Sequence, residues 1–217
     1  MPTPFLQHKL FEINDDLVVE EKKVGPYTYL SIDNFYKNAD SIHEMFDKSW
    51  VQNWKIHPQG KNFKEYYDCR SHIKLTDDNF EDENKTFLFF AKILQLNNFY
   101  CETIDSNIFT WINPPKQNIQ FWPHQDFMYN ILIYLDKINS GGTALYEEKP
   151  ERHVDEEIDL RYDISDHTNK MHVIPSVFNR CVIFDGKIPH GAFIEDHSKY
   201  SNNNWRCNVV YFLQENK

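Results

Sequence analysis

The 217-residue chain is short of several features that mark common protein classes. Its four cysteines, Cys69, Cys101, Cys181 and Cys207, form no CxxC pair, which argues against a disulfide framework or a zinc ribbon and points to free thiols in a reducing cytosol. No apolar run approaches bilayer-spanning length, and Met1 to His8 has no basic segment followed by an apolar one, so neither export nor membrane insertion is expected. The expected location is cytoplasmic. Positive charge is scarce as well, with 23 Lys and Arg against 33 Asp and Glu and a formal net charge of −10. Nucleic-acid affinity comes mainly from cationic side chains neutralising phosphates, so a nucleic-acid partner is not expected beyond what a local basic patch could supply. No Gly/Ser/Pro-rich linker, internal repeat or low-complexity tract divides the chain, which reads as one domain over residues 1–217.

What is present suffices for a well-buried core: 41% of residues are hydrophobic and 16% aromatic. Strand-like segments at Leu17 to Val19 and Tyr27 to Ile32 precede an amphipathic helix from Asn38 to Trp50, with apolar Ile42, Met45 and Phe46 on one face. Residues 52–66 read as loop and Cys69 to Leu75 as a strand. Glu81 to Leu96 is a helix with an acidic first turn and an apolar body. From residue 100 onward the pattern is strands: Ile108 to Ile112, the segment around His124, Ile131 to Leu135, Thr143 to Tyr146, Met171 to Ile174, Cys181 to Phe184 and Cys207 to Leu213. Helices followed by many strands, without βαβ alternation, imply an antiparallel barrel or sandwich braced by helices. Residues 147–170, with nine acidic and four basic side chains, read as a solvated insertion, with a mobile flap beside the barrel mouth as the functional alternative.

Candidate chemistry starts at Phe121-Trp122-Pro123-His124-Gln125-Asp126. Two residues apart on extended chain, His124 and Asp126 project to one side and can share a metal ion. Two histidines and one carboxylate on one face of iron(II) leave positions open for a co-substrate and oxygen, and His190, after the apolar run Cys181 to Phe184, is the candidate second histidine. A bare HxD pattern is cheap, and His153-Val154-Asp155 is a second instance. Aromatic and strand-forming neighbours favour His124, because a ligand needs a rigid, partly dry frame. Arg206 leads the last strand. It is read either as an edge arginine facing water or as a guanidinium that forks onto a ligand carboxylate.

The ordered set HxD, a strand ending Tyr134-Leu135-Asp136, Gly141-Gly142-Thr143, Pro189-His190 and an Arg206-led final strand resembles the iron(II)/2-oxoglutarate-dependent oxygenases, most closely their prolyl 4-hydroxylase-like branch. The resemblance covers about residues 100–213. It implies an α+β fold, a double-stranded β-helix (jelly-roll, cupin-like) barrel braced by N-terminal helices. By position it makes His124, Asp126 and His190 the Fe(II) ligands, Arg206 the partner of the distal 2-oxoglutarate carboxylate, and Tyr134 an assistant at that carboxylate, with Asn130 and Thr143 lining the pocket. O₂ would be the second co-substrate. The implied reaction is hydroxylation of a C–H bond in an amino acid, a peptidyl side chain or another small substrate, with release of succinate and CO₂. The competing reading is a cupin-like metal-binding module without oxygenase chemistry. Two departures from the branch are the sixteen-residue step from His190 to Arg206 and the long acidic insertion.

Overall fold

A computed structural model describes residues 11–53, 55–56, 66–74, 80–96, 99–116, 118–126, 128–149, 161–165, 170–202 and 204–215. Thirteen strands and two α-helices run in the order β1 (Glu20–Val24), β2 (Tyr27–Ile32), α1 (Ala39–Asn53), β3 (Lys55–Ile56), β4 (Tyr66–Lys74), α2 (Phe80–Leu94), β5 (Phe99–Trp111), β6 (Ile119–Phe121), β7 (Tyr129–Tyr134), β8 (Gly141–Tyr146), β9 (Arg161–Asp163), β10 (Met171–Pro175), β11 (Cys181–Asp185), β12 (His190–Ile194) and β13 (Arg206–Glu215). A short 3₁₀ helix, His197–Tyr200, lies between β12 and β13.

Eight strands form one sheet in the order β1-β2-β11-β7-β13-β5-β4-β3, and β10-β8-β12 form a second. The pair β6-β9 joins the second sheet through a bridge between His124 and His190. This is the double-stranded β-helix expected from the order of motifs. Its layering follows from the alternation of side chains along β7. Ile131 and Ile133, with Leu135 just past the strand, join Ile42 and Phe46 of α1 and Phe87 and Phe90 of α2 in one buried cluster. On the opposite face Leu132 and Tyr134 pack with Leu145, Ile174, Val182, Phe184 and Val210 between the two sheets. The central strands of the large sheet are thus buried on both faces, which explains why they read as continuous apolar runs.

Both helices and most strands fall where the sequence places them, with four corrections. Leu17 to Val19 is not a strand; the first described strand begins at Glu20, and Val18 is 68% exposed, so among the described residues these valines have no sheet neighbour to bury them. The insertion is not wholly loop, because Arg161–Asp163 is a strand that pairs antiparallel with β6. The strand β12 escaped notice because His-Gly-Ala-Phe-Ile is too short and mixed to show a period. The expected loop 52–66 is not loop where it is described, since its residues there belong to the end of α1, to β3 and to the start of β4. Residues 150–160, including His153 and Asp155, and the rest of 52–66 lie outside the described residues, as does most of the proposed flap.

Phe90 is fully buried, stacked 5.6 Å from Phe35 with an interplanar angle of 7° and edge-on to Tyr211 at 5.5 Å, so it ties α2 to the large sheet. Phe90→Ala should lower the unfolding free energy by about 3–5 kcal/mol in a urea titration. The neighbouring Leu88, 57% exposed, should change it by only about 0.5 kcal/mol on conversion to Ala.

Candidate metal centre

His124 and His190 lie 66 positions apart in sequence and are joined by their backbones. Each N–H donates to the other's carbonyl oxygen at 2.8 Å, the reciprocal pair of a narrow antiparallel bridge. Four residues earlier the side chain of Gln120 performs the same service. Its Nε2 donates to Ile194 O at 2.7 Å and its Oε1 accepts from Ile194 N at 2.8 Å, so β6 and β12 are fastened at both ends. The loop after His124 is stitched to the turn before His190: Asp126 N donates to Gly186 O at 2.8 Å, Gln125 Nε2 to Lys187 O at 2.6 Å and Gly186 N to Met128 O at 3.1 Å. Backbone contacts, rather than side-chain chance, therefore fix the three candidate ligands.

Their donor atoms all lie within 4.8 Å of one another. Asp126 Oδ2 is 3.2 Å from His190 Nε2 and 3.6 Å from His124 Nε2, and the imidazole centroids are 4.5 Å apart. His190 is aimed by its other nitrogen. Nδ1 is 2.7 Å from the carbonyl oxygen of Ile188, which can only accept, so Nδ1 carries a proton there and Nε2 is the nitrogen turned to the cluster. Burial by itself would raise the Asp126 carboxyl, but the imidazoles of His124 and His190 facing it prevail and hold it well below the usual carboxylate range. Asp126 is an anion at neutral pH. Two imidazoles and one carboxylate converging from one side are the donor set of a non-haem Fe(II) site, and the residues present fit that ion. The histidines differ in exposure: the side chain of His124 is 57% accessible and that of His190 4%, so the centre opens on the His124 side.

Asn130, on the barrel-facing side of β7, touches two of the three: its Nδ2 is 2.9 Å from Asp126 Oδ2 and 2.8 Å from His190 Nε2. Further along the same face is Tyr134, fully buried, its hydroxyl 2.8 Å from Thr143 Oγ1. Burial pushes the Tyr134 phenol well above its ordinary range, so it stays a neutral hydrogen-bonding group. Arg206 is only 8% exposed, and its Nη2 donates to Gly142 O at 3.1 Å. Among the described residues no carboxylate lies within ion-pair distance of it. Tyr200, at the end of the 3₁₀ helix, donates to Asp136 Oδ1 at 2.9 Å and accepts from Ser140 N at 3.2 Å.

The structure thus brings together His124, Asp126 and His190, and places Tyr134, Thr143 and Arg206 around the Gly141-Gly142 strand start. The reading of the sequence assigned no role to Gln120 or Tyr200 and left that of Asn130 open. Asn130, which shares a strand parity with Tyr134 and was expected to line the pocket, stands against two of the three candidate ligands. Nothing local marks Gln120, because its partner lies 74 positions away.

His190→Ala should abolish stoichiometric Co(II) or Fe(II) binding while leaving the circular dichroism spectrum unchanged, and His124→Ala should do the same. His172→Ala, which removes a contact to Glu147 Oε1 at 2.7 Å and an edge-on ring contact with Tyr27, should retain the metal. Metal binding that survives loss of His124 and vanishes with His153→Ala would place the centre in the acidic insertion instead.

No protein-family model matches the chain, and no curated protein matches it by sequence. Solved structures do resemble it. HygX from Streptomyces hygroscopicus, crystallised with nickel, 2-oxoglutarate and hygromycin B, superimposes with a TM-score of 0.53 at 10% identity over 86% of this chain and 82% of its own. The non-heme alpha-ketoglutarate-dependent carbocyclase SnoK from nogalamycin biosynthesis gives a TM-score of 0.50 at 10% identity over 86% and 79%. The epimerase SnoN, in complex with Fe³⁺, alpha-ketoglutarate and nogalamycin RO, gives 0.50 at 9% over 86% and 78%. At such identities the likeness is one of architecture. By fold, this chain is a double-stranded β-helix like those of HygX, SnoK and SnoN.

Proposed function

We propose that the protein is a non-haem Fe(II)- and 2-oxoglutarate-dependent dioxygenase that hydroxylates a C–H bond of an amino acid, a peptidyl side chain or another small substrate. The observation that carries this reading is the combination, inside one barrel, of a two-histidine, one-carboxylate centre and a buried arginine without a carboxylate partner among the described residues. A guanidinium out of water and unpaired is costly, and a ligand carboxylate offers the charge and the planar geometry it needs. A metal-binding module without oxygenase chemistry has no use for that group.

His124, Asp126 and His190 would hold Fe(II), which when bound supplies a centre at which 2-oxoglutarate and O₂ can meet. Arg206 would anchor the distal carboxylate. Asn130 at the centre and Tyr134 beside Arg206's strand are four residues apart on β7, roughly 13 Å of extended chain, a span on the scale of a five-carbon keto diacid with a contact at each end. Tyr134, neutral and buried, would give a second hydrogen bond at the same carboxylate. Leu132, Leu145 and Val182, packed together on that face, would keep the surroundings of the ligand apolar, which would exclude water and strengthen the charge contacts at both ends.

HygX was crystallised with hygromycin B and SnoN with nogalamycin RO, which supports a small-molecule substrate for this barrel. The described ends of the acidic insertion flank the centre. The chain leaves it after Tyr146, one residue past Leu145, which pairs with His190, and returns through β9, which pairs with β6 just before His124. Negative charge there would favour cationic or neutral substrates over phosphorylated ones. Among the described residues no helix is long and apolar enough to cross a membrane.

The test is succinate release from protein loaded with Fe(II) without oxygen and then exposed to O₂, with and without 2-oxoglutarate. Arg206→Lys, a point charge in place of a planar fork, should raise the apparent Michaelis constant for 2-oxoglutarate, and Arg206→Ala should raise it further, by tenfold or more on the order of a lost charge-assisted contact. Unaltered 2-oxoglutarate dependence in both variants, or no succinate from the parent, would reject the assignment.

A further inference from the structure

Asp136 and Arg206 are cross-strand neighbours that do not pair. In the β7–β13 ladder Asn208 stands opposite Tyr134, and Leu135 N donates to Cys207 O at 2.9 Å, so the next step of the same register sets Asp136 opposite Arg206. Alternation gives both the barrel-facing side, with Tyr134 and Asn208. Opposite charges so placed on an antiparallel pair ordinarily meet. Here both side chains are buried, Asp136 completely, yet among the described residues no ion pair joins them and Asp136 Oδ2 has no hydrogen-bond partner.

What holds Asp136 back is Tyr200. The phenol donates to Asp136 Oδ1 at 2.9 Å, and since Ser140 N donates to the phenol oxygen at 3.2 Å, the hydroxyl proton is left for the carboxyl. Burial, with Asp136 adding to it, pushes the phenol well above its ordinary range and keeps it a donor. The ring is locked in turn. It packs with Phe109, Trp111 and Ile194, and Tyr200 O accepts from Thr110 Oγ1 at 3.1 Å. Tyr200 is carried by the 3₁₀ helix inside the sixteen-residue step from His190 to Arg206, so the length of that step has a structural product.

We propose that Tyr200 is a positioning residue that holds the Asp136 carboxyl off Arg206 and so keeps the guanidinium open for the carboxylate of its ligand. This rests on the reading of Arg206 as the anchor of 2-oxoglutarate. An Asp136 released from Tyr200 would fork onto Arg206 from the neighbouring strand and compete with the ligand for the same donors. The bond from Arg206 Nη2 to Gly142 O does not prevent this, because it engages one of the three guanidinium nitrogens.

The experiment is calorimetric titration of 2-oxoglutarate into the oxygen-free, Co(II)-loaded full chain. Tyr200→Phe keeps the ring and removes only the hydroxyl, and it should weaken binding about tenfold, the scale of one competing charge-assisted contact. Adding Asp136→Asn, which cannot form the ion pair, should restore the affinity to within about twofold of Asp136→Asn alone. A hydroxyl with a merely structural role would give no such rescue. Unchanged affinity in Tyr200→Phe, or a loss that Asp136→Asn does not relieve, would overturn the proposal while Arg206→Ala still weakens binding. A parent that does not bind 2-oxoglutarate, or an Arg206→Ala variant that binds it as the parent does, would reject the anchor itself and the proposal with it. Should Tyr200→Phe not fold, Asp136→Glu, whose longer arm reaches past Tyr200 towards the opposite strand, carries the same expected loss, with Asp136→Gln as its rescue, and the same refutation.

Discussion

The reciprocal backbone pair between His124 and His190 is the contact on which the candidate centre depends. It joins the strand before the HxD triplet to the strand after Pro189, and with the Gln120 carboxamide at Ile194 it fixes how far apart the two strands lie. Once that spacing is set, Asp126 has little choice: its own N–H is held by Gly186, and its carboxylate faces both imidazoles. Ligand geometry here is a property of the main chain. That is how a centre half open to solvent at His124 can still hold its donor atoms within one cluster.

The two faces of β7 divide the labour of the barrel. One face presents Ile131 and Ile133 to the helices and supplies the bulk of the hydrophobic stabilisation. The other carries Asn130, Leu132 and Tyr134 in series, a polar group at each end and an apolar one between. A one-residue slip of register would exchange these sets, putting the site residues under the helices and the core isoleucines in the channel. The continuous pairing of β7 with β11 on one side and β13 on the other makes such a slip costly, because every ladder bond would have to move together.

How much of this could be read beforehand depended on whether the cause was local. The helices, the apolar strands and the HxD triplet carry their signals within a few residues, through period, turn chemistry and same-side projection. His190 was legible only by its place in an ordered series, since Pro-His alone means little and the strand it opens has no clean alternation. Gln120 and Tyr200 were illegible because each acts on a partner more than 60 positions away, Ile194 and Asp136 respectively. The Leu17 to Val19 segment misled for the converse reason: its local β-propensity is real, but no strand among the described residues pairs with it. Cys181 and Cys207 are buried free thiols, as composition suggested for cysteines in apolar strands. Burial pushes the Cys181 thiol well up and keeps it unreactive.

The strand order also governs how the molecule can be made. β2 pairs with β11 across about 150 residues of sequence, and β5 pairs with β13 across about 100. None of these ladders can close before its later strand is made, and β13, which lies between β5 and β7, is the last of the described strands. The nascent chain must therefore carry Ile131 to Leu135 without β11 for about 50 residues of further synthesis and without β13 for about 75, a period in which sticky strands invite association with other chains. His124 and Asp126 are translated long before His190, so a cation met early would find two donors and no frame. Correct loading belongs to the completed barrel, after the last strand has been laid in.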